Sequence, residues 1–149
     1  MNWANFNLIA FGVSITILSL YLFRKVAMMQ NQSDEIGNAI LTFGKAFPGE
    51  PIREVQPTAD FGAVFLRLSD GKTGCIQSFK RHSVCRILKP GTVNVEPAEV
   101  QGVIHIEFGD SRLEDGDFRF RSEGDAAEVS LWLLGSIAAA NDAEKAGTV

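Results

Sequence analysis

The chain contains two cysteines and two histidines, and three of these four residues lie in one stretch, KTGCIQSFKRHSVCRILK, at residues 72–89. Cys75, His82 and Cys85 are spaced C-x6-H-x2-C, and the only other histidine is His105. Zinc needs several converging ligands at shorter, repeated spacings, so this pattern matches no common zinc site. Redox pairing of Cys75 with Cys85 depends on hairpin register. A three-residue loop at 79–81 sets the cysteines opposite each other, whereas a two- or four-residue loop sets Cys75 opposite Arg86. A reducing cytoplasm disfavours the bridge in either register, so two unpaired thiols inside strands are expected. The acidic run DSRLEDGD at 110–117 fails as a calcium loop. In EF-hand phase its third position is Arg112 and its sixth, where glycine is required, is Asp115. It reads as a solvated hairpin turn. No phosphate-binding glycine loop or Gly-x-Ser-x-Gly elbow is present, and no cysteine–histidine dyad has a recognisable setting. No metal, cofactor or catalytic residue is expected, and the chain reads as a non-enzyme.

Stretch 72–89 also holds basic residues and no carboxylate. From residue 71 to 95 the local charge is +5, carried by Lys72, Lys80, Arg81, Arg86 and Lys89. Residues 96–149 carry twelve carboxylates against four basic side chains, within a chain of net charge −4. This segregation predicts two electrostatically distinct surfaces. It excludes a nucleic-acid binder, in which basic residues would dominate the whole domain. The residues predicted to touch anionic lipid headgroups or a protein partner are Lys72, Lys80, Arg81, His82 and Lys89, with Lys80-Arg81-His82 at the hairpin tip.

The element that would hold such a surface at a membrane is at the N-terminus. Residues 3–23, WANFNLIAFGVSITILSLYLF, contain no ionisable side chain. As a helix they would extend about 31 Å, enough to cross a hydrocarbon core. Trp3, Leu8, Phe11, Ile15, Leu18, Tyr21 and Phe23 are the membrane-spanning candidates. Trp3, with Asn5 and Asn7, suits one headgroup region, and Tyr21 suits the other. The hydroxyls of Ser14, Thr16 and Ser19 can return to helix carbonyls. Gly12 and Ser19 would permit close approach of another helix, though small residues are also common in solitary anchors. A cleaved signal peptide would need a basic start and a small-x-small cleavage site, and neither is evident. Arg24 and Lys25 set the topology by the positive-inside rule, with the N-terminus outside and the C-terminal domain in the cytoplasm.

Beyond this anchor and its juxtamembrane continuation (1–30), a short second helix and linker are expected at 31–51. Ser33 would be the N-cap, Gly44 would follow the C-terminus, and Ile36, Ile40 and Phe43 would share a docking face. Pro48, Gly49 and Pro51 mark entry to a β-rich domain at 52–141, followed by a tail at 142–149. Strands are predicted at 52–55, 63–68, 73–79, 84–88, 92–95, 103–108 and 118–121, punctuated by Asp70-Gly71, Pro90-Gly91, Gly109-Asp110 and Asp115-Gly116. Short strands without intervening helices indicate an antiparallel meander in an α+β chain. Ile104, Ile106 and Phe108 should share one face, and Arg119 and Arg121 should meet Glu107 across the other. A last helix from 123 to about 141 should bury Trp132, Leu133 and Ile137.

Seven antiparallel strands closed by one C-terminal helix bearing Trp132 resemble the pleckstrin-homology-like superfold, over residues 52–141, as a roll or small barrel. The resemblance implies binding of lipid headgroups, peptides or proteins rather than catalysis. The sequence therefore predicts a single-pass, membrane-anchored interaction protein, an accessory or assembly subunit of a larger membrane complex. Its partners would be the bilayer and another membrane protein. The alternative is a lipid-sensing module that uses the 72–89 hairpin.

Overall fold

A computed structural model describes residues 3–135, excepting the side chains of residues 4–6. Helix α1 runs unbroken over Trp3–Ala46. Its apolar part returns two hydroxyls to the backbone, Ser14 Oγ to the Ala10 carbonyl at 3.0 Å and Thr16 Oγ1 to the Gly12 carbonyl at 2.8 Å. The separate second helix expected at Ser33 does not form. Residues 24–32 contain no glycine or proline to interrupt the helix, and Ser33 Oγ donates to the Met29 carbonyl, 3.1 Å away, as an interior residue. Gly44 likewise lies inside the helix, which stops two residues before Pro48.

The chain divides into two compact units between residues 37 and 38. The first is the N-terminal part of α1. In the second, the last turns of α1 join seven strands and a closing helix. The strands are β1 (Ile52–Pro57), β2 (Ala63–Leu68), β3 (Thr73–Ser78), β4 (Ser83–Leu88), β5 (Asn94–Pro97), β6 (Val103–Glu107) and β7 (Gly116–Arg119). They form two antiparallel meanders, β1-β2-β3-β4 and β5-β6-β7, rather than one closed barrel. Gly71 and Gly91 occupy the left-handed region at φ 82° and 73°, as the turn pairs at Asp70-Gly71 and Pro90-Gly91 require.

Both faces of the four-stranded sheet are apolar. Ala63, Phe65, Cys75 and Leu88 pack with Ile104, Ile106 and Phe120 and with Val129, Trp132 and Leu133 of the closing helix. The opposite face presents Val64, Leu66, Leu68 and Ile76, which Ala39 and Phe43 of α1 cover. Phe43 is completely buried, whereas Ile40, expected on the same docking face, remains 39% exposed. Gly74 makes this contact possible: a Cβ there would fall 2.6 Å from the Phe43 ring.

Helix α2 (Glu123–Leu134) starts at Ser122, whose Oγ accepts the Asp125 N–H at 3.1 Å. It ends at Gly135, φ 76°, whose N–H donates to the Leu131 carbonyl at 3.0 Å. Trp132 and Leu133 are buried as expected, while Ile137 and the tail lie outside the described residues. β7 begins earlier than expected, which changes its pairing. Arg119 sits opposite Val103 and Asp117 opposite His105, so neither Arg119 nor Arg121 faces Glu107. Instead the Arg121 guanidinium lies 5.7 Å from the centre of the Phe61 ring.

Candidate functional site

The basic hairpin consists of β3 and β4 joined by a four-residue loop. The Phe79 N–H donates to the His82 carbonyl at 2.8 Å, and the two rings stack with centroids 5.1 Å apart. This loop length decides the cysteine question: Cys75 pairs with Arg86, and Cys85 with Ile76. Side chains alternate across a strand, so the two thiols face opposite sides of the sheet and both are free. Burial pushes the Cys75 thiol well above its ordinary range, with nearby Cys85 contributing second, and burial also raises Cys85. Neither is an activated nucleophile.

The predicted basic surface does not form a single patch. Lys72 is held between two carboxylates, 2.9 Å from Glu50 Oε1 and 2.7 Å from Asp70 Oδ2, which raises its pKa and lowers that of Asp70. Arg86 Nε lies 3.0 Å from Asp110 Oδ2. Lys80, Arg81 and His82 are exposed at the tip. Lys89 is exposed at the other end of β4, separated from the tip by about 20 Å of strand. Lys80 and Arg81 make no ion pair among the described residues. Thus the five predicted contact residues reduce to one compact basic feature at the tip.

Beside that tip is a cleft of about 300 Å³, which no sequence pattern announced. Its walls come from three separated segments: Thr58, Asp60 and Gly62 in the β1–β2 turn, Gln77 and Phe79 at the end of β3, and residues 114–119. The Gln77 side chain, buried to 5% exposure, reads the Glu114 backbone in both directions. Its Nε2 donates to the carbonyl at 2.8 Å and its Oε1 accepts the N–H at 2.8 Å. Asp115 Oδ1 accepts the Phe108 N–H at 2.8 Å, and Leu113 inserts into the core at 5% exposure. The acidic run is therefore a folded, anchored loop rather than only a solvated turn.

Asp60 closes the β1–β2 turn, accepting the Gly62 N–H at 3.0 Å and the Thr58 hydroxyl at 2.7 Å. These bonds, the backbone one foremost, hold its carboxyl below the usual range. The intervening Phe61 adopts φ 56°, an uncommon conformation for a residue with a Cβ. Asp117, on the β7 wall, places Oδ1 2.7 Å from His105 Nδ1. That carboxylate is the main cause of a raised His105 pKa, with Glu107 and Glu96 adding to it. The cleft is thus a polar recess with Asp60 and Asp117 at its margins and the Phe79 and Phe118 rings in its walls. Such a recess offers contacts for a ligand or partner. Among the described residues no three metal-ligating side chains converge.

The N-terminal candidates behave as one set. Trp3, Leu8, Phe11, Ile15, Leu18, Tyr21 and Phe23 are all exposed, from 52% at Ile15 to 85% at Trp3. The helix contains a window of mean hydropathy 1.6 with none of it buried, so it is long and apolar enough to cross a membrane. Arg24 and Lys25 follow directly, also exposed. No protein-family model, curated protein or solved structure matches the chain.

Proposed function

We propose that this protein is a single-pass, membrane-anchored, non-enzymatic interaction protein that serves as an accessory or assembly subunit of a membrane protein complex. The observation that carries the reading is the uncharged segment 3–23, whose described large apolar side chains are exposed around the helix and which continues into a folded β-rich unit. Such a surface is costly in water and suited to lipid. In this reading the positive-inside rule, applied to Arg24 and Lys25, puts the β-rich unit on the cytoplasmic side. We read the sheets of four and three strands, closed by α2 with Trp132 inside, as a pleckstrin-homology-like arrangement. That points to binding, although fold alone does not assign it. The hairpin tip and the adjacent cleft are the contact surfaces in this reading.

Alkaline carbonate extraction followed by detergent pull-down from native membranes tests it. Retention in the membrane and recovery of stoichiometric partners are expected; a carbonate-soluble protein or a solitary monomer overturns it. Thiol labelling of Cys75 and Cys85 after denaturation in sealed vesicles fixes the orientation.

A second reading, contact with anionic lipid, is favoured by Lys80 and Arg81, which make no ion pair among the described residues. Each basic residue near such a surface contributes about 1 kcal/mol at moderate ionic strength. In nanodiscs, hydrogen exchange at 79–82 should slow when anionic lipid replaces neutral lipid, and salt or the Lys80→Ser/Arg81→Ser variant should abolish the protection. Identical exchange in both lipids removes this reading.

A further inference from the structure

His105 is the central residue of an otherwise acidic row. It sits on β6, the middle strand of the three-stranded sheet, directly opposite Glu96 of β5 and Asp117 of β7. Glu107 is two residues along on the same face, where Asn94 Nδ2 donates to its Oε2 at 3.2 Å, and Arg119 follows Asp117 at the same spacing. The only titratable cation among these groups near neutrality is therefore flanked by carboxylates from all three strands. Its closest contact, to Asp117 Oδ1 at 2.7 Å, is to the strand that forms one wall of the cleft.

β7 is a four-residue edge strand, and its burial alternates between partial and exposed. It is held along its length by the backbone ladder to β6 and by the Phe118 ring packed on Phe65 and Phe108, and at its ends the Ala59 N–H donates to the Arg119 carbonyl at 2.8 Å and Gln77 holds Glu114. On the exposed face the His105–Asp117 pair is the only side-chain hydrogen bond from β6 to β7 among the described residues.

We propose that His105 and Asp117 form a proton-operated clasp that holds β7 against β6 and so sets the shape of the cleft. When the imidazole is charged, it balances Asp117 and the flanking glutamates. When it is neutral, three carboxylates face one another, with Arg119 alone on that side of β7 to offset them, and the wall loosens. Because the folded-state pKa lies above the ordinary imidazole value of 6.5, the clasp is complete below that value and is lost as pH rises through the higher folded value. The device does not depend on what the cleft binds.

NMR on the full-length protein in detergent micelles tests it by following the His105 ring and the amides of residues 116–119. The ring should titrate with a midpoint above 6.5, the β7 amides should share that midpoint, and their intrinsic-corrected exchange should quicken on the alkaline side relative to β3. In Asp117→Asn the ring midpoint should fall toward that of a free imidazole and the β7 response should disappear. His105→Gln, which retains a donor without titrating, should leave β7 flat over the same range. β7 amides that ignore the wild-type His105 midpoint, or that keep their transition in His105→Gln, overturn the clasp.

Discussion

The two ends of α1 have the same backbone conformation and opposite surroundings. Along residues 7–23 the large apolar side chains are exposed, whereas Ala39 and Phe43 are buried against the sheet formed by β1 to β4. Only the C-terminal end is amphipathic in the ordinary sense, with one side buried and the other exposed. The N-terminal end is apolar all round and suited to lipid; the C-terminal end buries one narrow stripe centred on Phe43. The same helix is thus long and apolar enough to span a membrane over one stretch and a core element over another. The β-rich unit is incomplete without residues 38–46, because their removal uncovers Val64, Leu66, Leu68 and Ile76.

The sharpest test of this division is Phe43→Ala, which should cost about 3–5 kcal/mol of stability, the usual range for emptying a buried aromatic site. Chemical denaturation of the β-rich unit in micelles measures it, and an unchanged midpoint would show that the docked end contributes nothing. Acting on the other end, Ile15→Lys should cost about 2.5–3.5 kcal/mol of membrane insertion and leave the denaturation midpoint where it was. A glycosylation-reporter insertion assay reads the first quantity, and a matching loss of fold stability would blur the two roles. Gly74→Ala should cost about 1–3 kcal/mol by pushing a methyl into the Phe43 ring, and Phe43→Leu should recover part of that loss. The smallest effect is expected far from the helix. Asp60→Asn should lower neutral stability slightly, leave stability at low pH nearly unchanged, and so flatten the acid limb. The lowered Asp60 pKa stabilises the fold above the unfolded value near 3.8 and is lost as pH falls through the folded value. Identical acid unfolding curves would remove Asp60 from that role.

What the sequence made legible follows from how local each signal is. The apolar segment needs only a count of charges, and β2 appears where an apolar run ahead of the Asp70-Gly71 turn places it. Trp132 is recognisable as an anchor because its neighbours are apolar at helical spacing. Ser33 misled because the N-cap preference is real, but a helix already under way absorbs the hydroxyl at the Met29 carbonyl. Phe43 was identifiable by spacing, but the face shared with Ile36 and Ile40 is not the one buried: Ala39, a small residue suited to close helix-on-sheet contact, lies against the sheet instead of Ile40. The cysteine register rested on a single residue of loop length, which composition does not encode. The cleft was invisible for a different reason: Thr58, Gln77 and Asp117 come together only when two sheets meet. The dispersal of the basic patch was hidden likewise, since Glu50 and Asp110, which neutralise Lys72 and Arg86, lie outside the basic stretch.

Gln77 has a consequence for how this protein can change over generations. Its amide recognises only the main chain of residue 114, so the side chain displayed there is not constrained by that contact. The fold thereby holds a cleft-bordering loop in place without dictating what that loop presents. Substitutions at 114 can alter recognition while the framework stays intact, whereas loss of the Gln77 amide would remove one anchor and leave Asp115 and Leu113 to hold the loop.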